Sequence, residues 1–581
     1  MREQSPSPDA VRLQLEHVLR SAAFHGAVSV SRLLRYTVEA VLRGEKENLK
    51  EYVIGLEVFD RGDRFDPGRD AIVRVQARKL REKLETYYRT EGAEDAVRIE
   101  FPKGGYVPSF GAWTTPAVHT IAVLPFVNLS PENDSSYFCD GLTEELMHVL
   151  AGIRELRVVA RTSSFQFRNT NQDVQQIGRL LNAELILEGS VRLAGEQLRV
   201  TARLASVAEG IQLWSRRYDR TLENLFQIQD EIADAIATTL QRTLASMGGP
   251  PLASQDTYDL EAFKLYLKGR HFWNQRTAAG FRNALECFQQ AIARNSRLSR
   301  AYAGLAETYV LMMMHNLESP QRLMPKAREA ALAALGIDSA LPQAHSSLAA
   351  VHALFDWDLL AADAEWQRAI DVDSGYATAY HWRALFCDVP REKFDRALEN
   401  IRKAEWLDPL SLPIANDIGF VLYWARRYGE AEAQCRSALE LNPNFYRIRI
   451  LLARIYAAQG RYSEAIEHCH DALRLMEGDA FRSQTLATLG FAHVRLGNSA
   501  QASNAAGELK CLAERSFASA FDLAILAVGA HDLDNAIEHL MEAARQKTGW
   551  ILWLGCEPLL DDLRPDTRFL WLEHEILKRS R

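Results

Sequence analysis

The hydrophobic positions of this chain follow three patterns, and each pattern predicts a different kind of element. Near the N-terminus, apolar residues recur at helical spacing along one stripe: Val73, Ala77, Leu80, Leu84 and Tyr87. Thr120–Val127 is continuously apolar, as expected of a strand that is buried on both faces. From Thr257 onward the spacing is helical throughout. The patterns therefore predict a helical N-terminal part, a small α/β part and a long helical part.

Small residues and aromatic residues in the long helical part repeat with a fixed period of 34 residues. Three sets keep this spacing: Ala397, Ala431 and Ala465; Ala404, Ala438 and Ala472; and Phe394, Tyr428 and Tyr462. Pro409 and Pro443 repeat a helix-stop position at the same period. This is the tetratricopeptide (TPR) pattern, which requires small residues where two helices cross. The spacing predicts a solenoid of seven to nine helix pairs over residues 257–581.

The second part, residues 119–247, alternates strand and helix patterns. Beyond the apolar run, it predicts strands at Arg157–Ala160, Leu185–Val191, Leu198–Ala205 and Ile211–Tyr218, and helices at Asp140–Leu150, Asp173–Leu181 and Leu225–Leu244. Five motifs occur in order: Ile121–Phe126, Ser163–Phe165, Leu187–Val191, Leu213–Asp219 and Phe226–Ala233. With them the segment resembles the N-terminal domain of TolB and the related FlgO-type domain. The resemblance implies a small α/β domain and identifies no ligand.

The amphipathic helix of the first part carries its cations on both sides of the buried stripe. One flank holds Arg74, Arg78 and Arg81, the other holds Lys79 and Lys83, and Val75 faces outward between them. A period-two strand, Val97–Glu100, then leads into a turn at Gly104-Gly105, and Tyr106–Pro108 is expected to close a hairpin. A helix buried on one side and rimmed with cations on the other can enter the major groove of DNA.

The segment Arg78–Leu84, with Gly105-Tyr106 after it, resembles the recognition helix and wing of OmpR-type winged-helix regulators. The four-stranded N-terminal sheet of that type has no counterpart here. The resemblance implies a winged-helix-like DNA-binding domain over residues 11–110, after a disordered lead of residues 1–10 and before a linker of residues 111–118. The residues expected at DNA are Arg74, Val75, Arg78, Lys79, Arg81, Lys83 and Lys103. Together the three parts resemble bacterial proteins that combine winged-helix-like, TolB-like and TPR segments.

Charge leaves a structural alternative open for the first part. Residues 1–110 hold 19 basic and 18 acidic side chains, whereas residues 69–89 hold seven basic and three acidic ones. The positive charge is therefore local, and a solvated helix face in a structural or protein-docking domain would show the same pattern. The net charge of −8 argues against nucleic-acid binding along the whole chain.

Candidate chemistry beyond binding is sparse. The seven cysteines form no C-x-x-C pair, and the flanking histidines of Cys469 are better explained as surface residues beside a buried repeat position. The nucleotide-binding, hydrolase and zinc-protease motifs are absent, so we expect no enzyme, no cofactor and no metal. The scattered thiols and the lack of long apolar runs predict a cytoplasmic protein without a membrane partner.

The main hypothesis from the sequence is a multidomain, mainly α-helical transcriptional regulator. DNA would bind the first part, and an unidentified protein or peptide would bind in the groove of the TPR array. The alternative is a TPR scaffold or adaptor protein that binds no nucleic acid. A third and weaker possibility is a signalling protein associated with a nucleotide cyclase.

Overall fold

The computed structural model divides the chain into two compact units, residues 1–118 and residues 119–581. It describes residues 7–59, 61–62, 65–68, 70–89, 91–92, 95, 97–102, 105–112, 119–130, 136–153, 156–168, 170, 172–195, 197–221, 228, 231–232, 235, 259–476, 478, 481–515 and 520–578. Of the predicted segments, Lys103, Gly104, residues 1–6 of the lead, residues 113–118 of the linker and most of Leu225–Leu244 lie outside these residues. Among the described helices, none is both long and apolar enough to cross a membrane.

The first unit contains four α-helices and a two-stranded sheet in its described residues. The helices are α1 (Pro8–Arg20), α2 (Val28–Leu42), α3 (Glu51–Glu57) and α4 (Ile72–Arg89). The predicted stripe of α4 is confirmed, because all five of its residues are buried in one core with residues of α1 and α2. The strands β1 (Val97–Glu100) and β2 (Ser109–Ala112) pair antiparallel, with Val97 opposite Ala112.

The hairpin differs from the prediction in where its second strand begins. The ladder pairs Glu100 with Ser109, so Tyr106–Pro108 belongs to the connection and not to the strand. Pro108 has no backbone N–H to give to a ladder, which explains why pairing starts one residue later. As a consequence, Gly111 and Ala112 belong to the hairpin and not to the linker.

The second unit begins with a mixed sheet of six strands. They are β3 (His119–Val123), β4 (Val127–Asn128), β5 (Leu156–Val158), β6 (Leu185–Ala194), β7 (Gln197–Ser206) and β8 (Gln212–Thr221). The order is β5-β3-β6-β7-β8, with β4 also on β6; β3, β4 and β5 run parallel to their neighbours, and β6-β7-β8 is an antiparallel meander. The helices α5 (Ser136–Ala151), α6 (Arg161–Ser164) and α7 (Val174–Leu181) connect the strands.

The apolar run Thr120–Val127 does not form one strand, as the pattern predicted, but two. The ladder leaves it after Val123 and returns at Val127. Pro125 lies in the gap, and its ring nitrogen cannot donate a ladder hydrogen bond. The run is nevertheless buried from Thr120 to Phe126, as the pattern indicated.

The long helical part is an array of eight helix pairs in residues 259–545, as far as these are described. The helices are α8 (Leu260–Asn274), α9 (Ala278–Arg294), α10 (Ser299–Met314), α11 (Pro320–Ile337), α12 (Pro342–Val351), α13 (Leu359–Val372), α14 (Ala377–Arg383), α15 (Phe394–Leu407), α16 (Leu412–Trp424), α17 (Tyr428–Leu441), α18 (Tyr446–Ala458), α19 (Tyr462–Leu475), α20 (Arg482–Arg495), α21 (Ser499–Arg515), α22 (Ala520–Gly529) and α23 (Leu533–Arg545). A last helix, α24 (Thr567–Leu577), follows them.

The repeat positions occupy the places that the 34-residue period predicted. Ala397, Ala431 and Ala465 are fully buried where the two helices of a pair cross. The helices α15 and α17 both end two residues before their prolines, Pro409 and Pro443. The count of eight pairs also falls within the predicted range of seven to nine.

The array packs against the helices and loops of the sheet. The Arg157 guanidinium lies over the ring of Trp406, 3.3 Å from its centroid. Nearby, the Ser163 hydroxyl donates to the Asp408 carboxylate, which is buried. At a second contact, Arg270 bridges Glu144 of α5 (3.3 Å) and Glu307 of α10 (2.7 Å). Sheet and array therefore form one body within the second unit.

Candidate functional site: a cavity inside the repeat array

The array folds its own C-terminal residues against the first helices of its pairs. We call Lys547–Asp562 the terminal segment. This segment contacts five consecutive helix pairs. The contacts are Lys547 with Phe355, Trp553 with Leu385, Glu557 with Tyr423 and Arg454, and Asp562 with Arg495. The partners of Lys547 and Trp553 lie in wide π-helical turns, His352–Asp356 and Ala384–Asp388, which continue α12 and α14.

A cavity of about 580 Å³ remains between the terminal segment, the first helices of the pairs and the helical segment Arg161–Gln166, which follows β5. This volume lies in the range of sites that enclose a compact ligand, about 300–1,000 Å³. Such sites are mostly apolar with a few placed polar groups. The lining of this cavity has the same composition, as its aromatic and charged residues show.

Six rings form what we call the aromatic wall of the cavity: Trp382, Phe386, Phe420, Trp424, Trp550 and Trp553. Trp424 and Trp553 stack with their ring centroids 5.0 Å apart and their planes at 15°. Trp550 contacts Trp553 edge-on at 5.1 Å, and Phe386 lies 5.7 Å from Trp553. The terminal segment thus supplies two of the rings and fixes them against rings of the array.

The carboxylates of the lining are already engaged by neighbouring side chains. Glu307 accepts from Arg270 (2.7 Å) and from the Tyr376 hydroxyl (3.2 Å). Asp417 contacts His381 at 2.8 Å and Arg447 at 3.4 Å. Although burial raises the pKa of Asp417, Arg447 and His381 bring it below its ordinary value, so the side chain is ionised. The third carboxylate of the lining, Asp408, accepts from the Ser163 hydroxyl, so each of the three already has a described partner.

Arg276 is the lining cation that has no such partner. Its guanidinium stacks over the Trp273 ring at 3.7 Å, and it makes no side-chain hydrogen bond or ion pair with any residue that the structure describes. The side chain is exposed, but the surface that it exposes faces the cavity. Burial lowers the pKa of Arg276 to about 10; nearby Glu307 opposes this shift, and Arg270 and Arg161 add to it.

His315 lies near Arg276 and carries no charge. Burial, Arg447 and Arg276 together lower the pKa of His315 to about 3, so the imidazole is neutral. Phe481 joins these residues: its ring lies 5.4 Å from that of His315 and 5.0 Å from the Arg447 guanidinium. The contact between His315 of the second pair and Phe481 of the seventh closes this side of the cavity.

The residues predicted at DNA lie on α4 of the first unit, apart from Lys103, which lies outside the described residues. Three of the predicted cations hold the unit together. Arg81 donates to the carbonyl oxygens of Phe101 (3.2 Å) and Pro102 (3.0 Å), Lys83 donates to Ala23, and Arg74 pairs with Glu51 at 3.1 Å. These contacts tie α4 to the hairpin and to the earlier helices.

The other predicted DNA residues point outward. The Arg78 side chain is 82% exposed, and its one described ion pair runs along the helix to Glu82, at 2.9 Å. Val75 is 48% exposed, and Lys79 is exposed as well. The outward face predicted for α4 is therefore present, with Arg78 and Lys79 as its cations.

The sequence pattern predicted neither the cavity nor the position of Arg276 in it. The one available signal was the pair of tryptophans, Trp550 and Trp553, in a short segment after the last repeat. Among the described residues, no group of three or more His, Cys, Asp or Glu side chains could hold a metal ion.

Comparison with known proteins places the repeats in a family. A tetratricopeptide repeat model matches residues 422–486, which cover α17, α18 and α19 with their flanks. The chain therefore contains tetratricopeptide repeats, and its C-terminal part is a TPR-like helical solenoid.

Two curated relatives match larger parts of the chain. The Rhizobium meliloti (strain 1021) protein "Putative adenylate cyclase 3" is 32% identical over 236 residues, 40% of each chain. The "Transcriptional regulator HilA" of Salmonella typhimurium is 23% identical over 305 residues, 51% of this chain and 52% of that protein. The chain thus spans about half, or less, of the length of these relatives. Among solved structures, yeast Tom70 is similar over 93% of this chain and 98% of its own, at 14% identity and a TM-score of 0.38.

Proposed function

We propose that this chain is a TPR adaptor protein whose array binds a segment of a partner protein in the cavity. The observation that carries the proposal is the cavity itself: about 580 Å³ of space in the array, walled by six aromatic rings. Repeat arrays commonly bind protein segments on the side chains of their inner helices. The terminal segment fills part of that face, so the partner would contribute a short stretch of chain.

Site-specific photo-crosslinking in the producing cells tests this function. A benzophenone amino acid replaces Phe445, which lines the cavity, and in a control it replaces Leu332, which is 52% exposed on α11 outside the cavity. The Phe445 position should yield an adduct with a defined protein that the Leu332 position does not yield. The substitution Thr378→Trp, which fills the cavity from its lining, should remove that adduct. Identical adducts at both positions, or an adduct that survives Thr378→Trp, would reject the proposal.

A second candidate function is DNA binding by the first unit, which would make the adaptor a transcriptional regulator. The specific observation in its favour is the outward face of α4, where Arg78, Lys79 and Val75 are exposed. The similarity to a transcriptional regulator at 23% identity supports the same function. Exposed cations beside an exposed apolar residue can contact phosphates and base edges respectively. In this case the partner held by the array would be the signal or the effector of transcription.

A further inference from the structure

The unpaired guanidinium of Arg276 indicates what the occupant of the cavity must carry. Arg276 is an exposed side chain that lines the cavity, and it makes no side-chain hydrogen bond or ion pair within the described residues, so its charge can bind a ligand. Its stacking on Trp273 positions the guanidinium but does not neutralise it. An anionic group brought by the ligand would supply the missing partner.

The surroundings of Arg276 favour an anion over a neutral acceptor. Glu307, a lining carboxylate whose charge acts on Arg276, already binds Arg270 and Tyr376. His315 is also uncharged, because burial, with smaller effects of Arg447 and Arg276, lowers its pKa. A second histidine of the lining, His381, is committed to Asp417 at 2.8 Å. The acidic side chain near Arg276 is therefore already engaged, and a ligand carboxylate would form charge-assisted hydrogen bonds with the guanidinium.

The rest of the lining favours an aromatic group on the same ligand. The aromatic wall offers stacked and edge-on rings, and rings packed in these arrangements gain about 0.5–1.5 kcal/mol beyond the area that they bury. Part of its surface faces the cavity, because the wall residues line it. An aromatic side chain fits such a surface better than an aliphatic one.

We infer that the cavity binds a partner segment in which an acidic side chain lies close to an aromatic one. The carboxylate binds the Arg276 guanidinium, and the ring packs on the aromatic wall. This inference rests on the proposed function, because it names the chemistry of the partner segment at the same site. Arg276 thereby acts as the residue that determines specificity.

The test is selection of random displayed peptides on the full-length protein and on three variants. Arg276→Gln removes the charge and keeps much of the side chain, whereas Arg276→Lys keeps the charge. The matched control is Arg322→Gln, which removes an arginine whose side chain is 74% exposed and pairs only with Glu318 on the array surface. Because Arg276 makes no described hydrogen bond or ion pair, all three variants should fold, as circular dichroism and melting temperature will report.

The wild-type protein and Arg322→Gln should enrich peptides with Asp or Glu close to Phe, Tyr or Trp. Arg276→Gln should keep the aromatic preference and lose the acidic one, and Arg276→Lys should keep part of both. A synthetic peptide from the wild-type selection should bind Arg276→Gln about tenfold more weakly, as expected for the loss of one charge-assisted contact.

The possible failures are distinguishable. Enrichment of aromatic peptides without acidic residues would overturn the inference and leave the adaptor function standing. If Arg276→Gln still enriches peptides with acidic residues, the inference would also be overturned, because a residue other than Arg276 would then bind the acidic side chain. If no peptide is enriched by any of the four proteins, the adaptor function itself is wrong and the inference falls with it.

Discussion

Arg454 and Glu557 form an ion pair in which neither side chain is exposed to solvent. The Nη2 atom of Arg454 lies 2.8 Å from Oε2 of Glu557. Tyr423 and Trp424 donate to the same carboxylate, the latter at 3.3 Å. Arg454 lies on α18 and Glu557 in the terminal segment, so this pair anchors the segment that supplies two rings of the aromatic wall.

Glu557→Gln should destabilise the protein strongly. The substitution leaves the Arg454 charge buried without its counter-ion, and breaking a buried pair in this way costs about 3–5 kcal/mol of the free energy of unfolding. Urea unfolding followed by circular dichroism measures the change. The control is Glu430→Gln, because Glu430 is 60% exposed and pairs only with Arg427; it should cost less than about 1 kcal/mol. Equal effects of the two substitutions would contradict the anchoring role.

Asp522 should make stability depend on pH. Burial raises its pKa to about 6, against the effects of Ser483 and Arg454, while Glu557 raises it further. Since the folded state holds this proton more tightly than the unfolded state, stability from this group is full below about pH 4. It is lost as pH rises toward and through 6, and the loss amounts to about 3 kcal/mol.

The measurement for Asp522 is the free energy of unfolding of the wild type and of Asp522→Asn at several pH values between about 4 and 7. The neutral amide cannot ionise, so the stability of the variant relative to the wild type should rise across this interval. Parallel pH profiles of the two proteins would show that Asp522 does not titrate there.

Trp406→Leu should weaken the packing of the array on the sheet. The ring lies between two cations, with Arg157 at 3.3 Å and Lys403 at 4.0 Å from its centroid. Loss of these cation–π contacts should cost about 1–2 kcal/mol. Thermal unfolding measures the loss, with Trp571→Leu as the control because Trp571 is 56% exposed on α24. If the control lowers the melting temperature as much as Trp406→Leu does, the contact has no special role.

The DNA-binding candidate predicts a local effect of charge on α4. In the full chain, the double substitution Arg78→Gln with Lys79→Gln should make the plot of the logarithm of the DNA association constant against the logarithm of salt concentration less steep. The magnitude of the slope should fall by about two, because two phosphate contacts are lost. Fluorescence anisotropy with duplex DNA at several salt concentrations gives the slope. Lys46→Gln with Lys50→Gln removes the same charge from exposed positions of the same unit. Equal slopes for the two double variants would reject α4 as the contact face.

Arg81 is unsuitable for that test, although the sequence groups it with Arg78. Its guanidinium donates to the backbone of Phe101 and Pro102, so its replacement would disturb the hairpin as well as any DNA contact. Helical periodicity places a residue on a face of its helix, but it does not show which backbone carbonyls another segment brings to that face. The sequence could therefore predict the basic face, but not how Arg78 and Arg81 differ.

The repeat array could be predicted from the sequence because its contacts are local. Ala431 and Ala465 pack where neighbouring helices cross, and the same requirement recurs every 34 residues. The strands of the sheet were predictable for a similar reason, since each carries its own apolar pattern. The exception, the break at Pro125, reflects a missing backbone donor that the hydrophobic pattern does not register.

The cavity could not be predicted because its residues come together from distant parts of the chain. His315 of the second pair contacts Phe481 of the seventh, and the Trp553 ring nitrogen donates to the carbonyl of Leu385, 168 residues before it. None of these pairs has a periodic signature. That Arg276 has no ion-pair partner among the described residues is likewise a property of the folded array, because the sequence does not show which distant acids the fold brings near it.

The most direct test of the cavity as a binding site compares two fluorescent probes of similar shape. Anilinonaphthalene sulfonate carries an anion on an aromatic body, and N-phenyl-1-naphthylamine is the same body without the anion. Both probes should bind the full-length protein. Thr378→Trp should abolish the binding of both probes, whereas Arg276→Gln should weaken only the binding of the sulfonate, by about tenfold. If Thr378→Trp leaves both titrations unchanged, or if Arg276→Gln affects the two probes equally, the cavity is not the charge-selective site described.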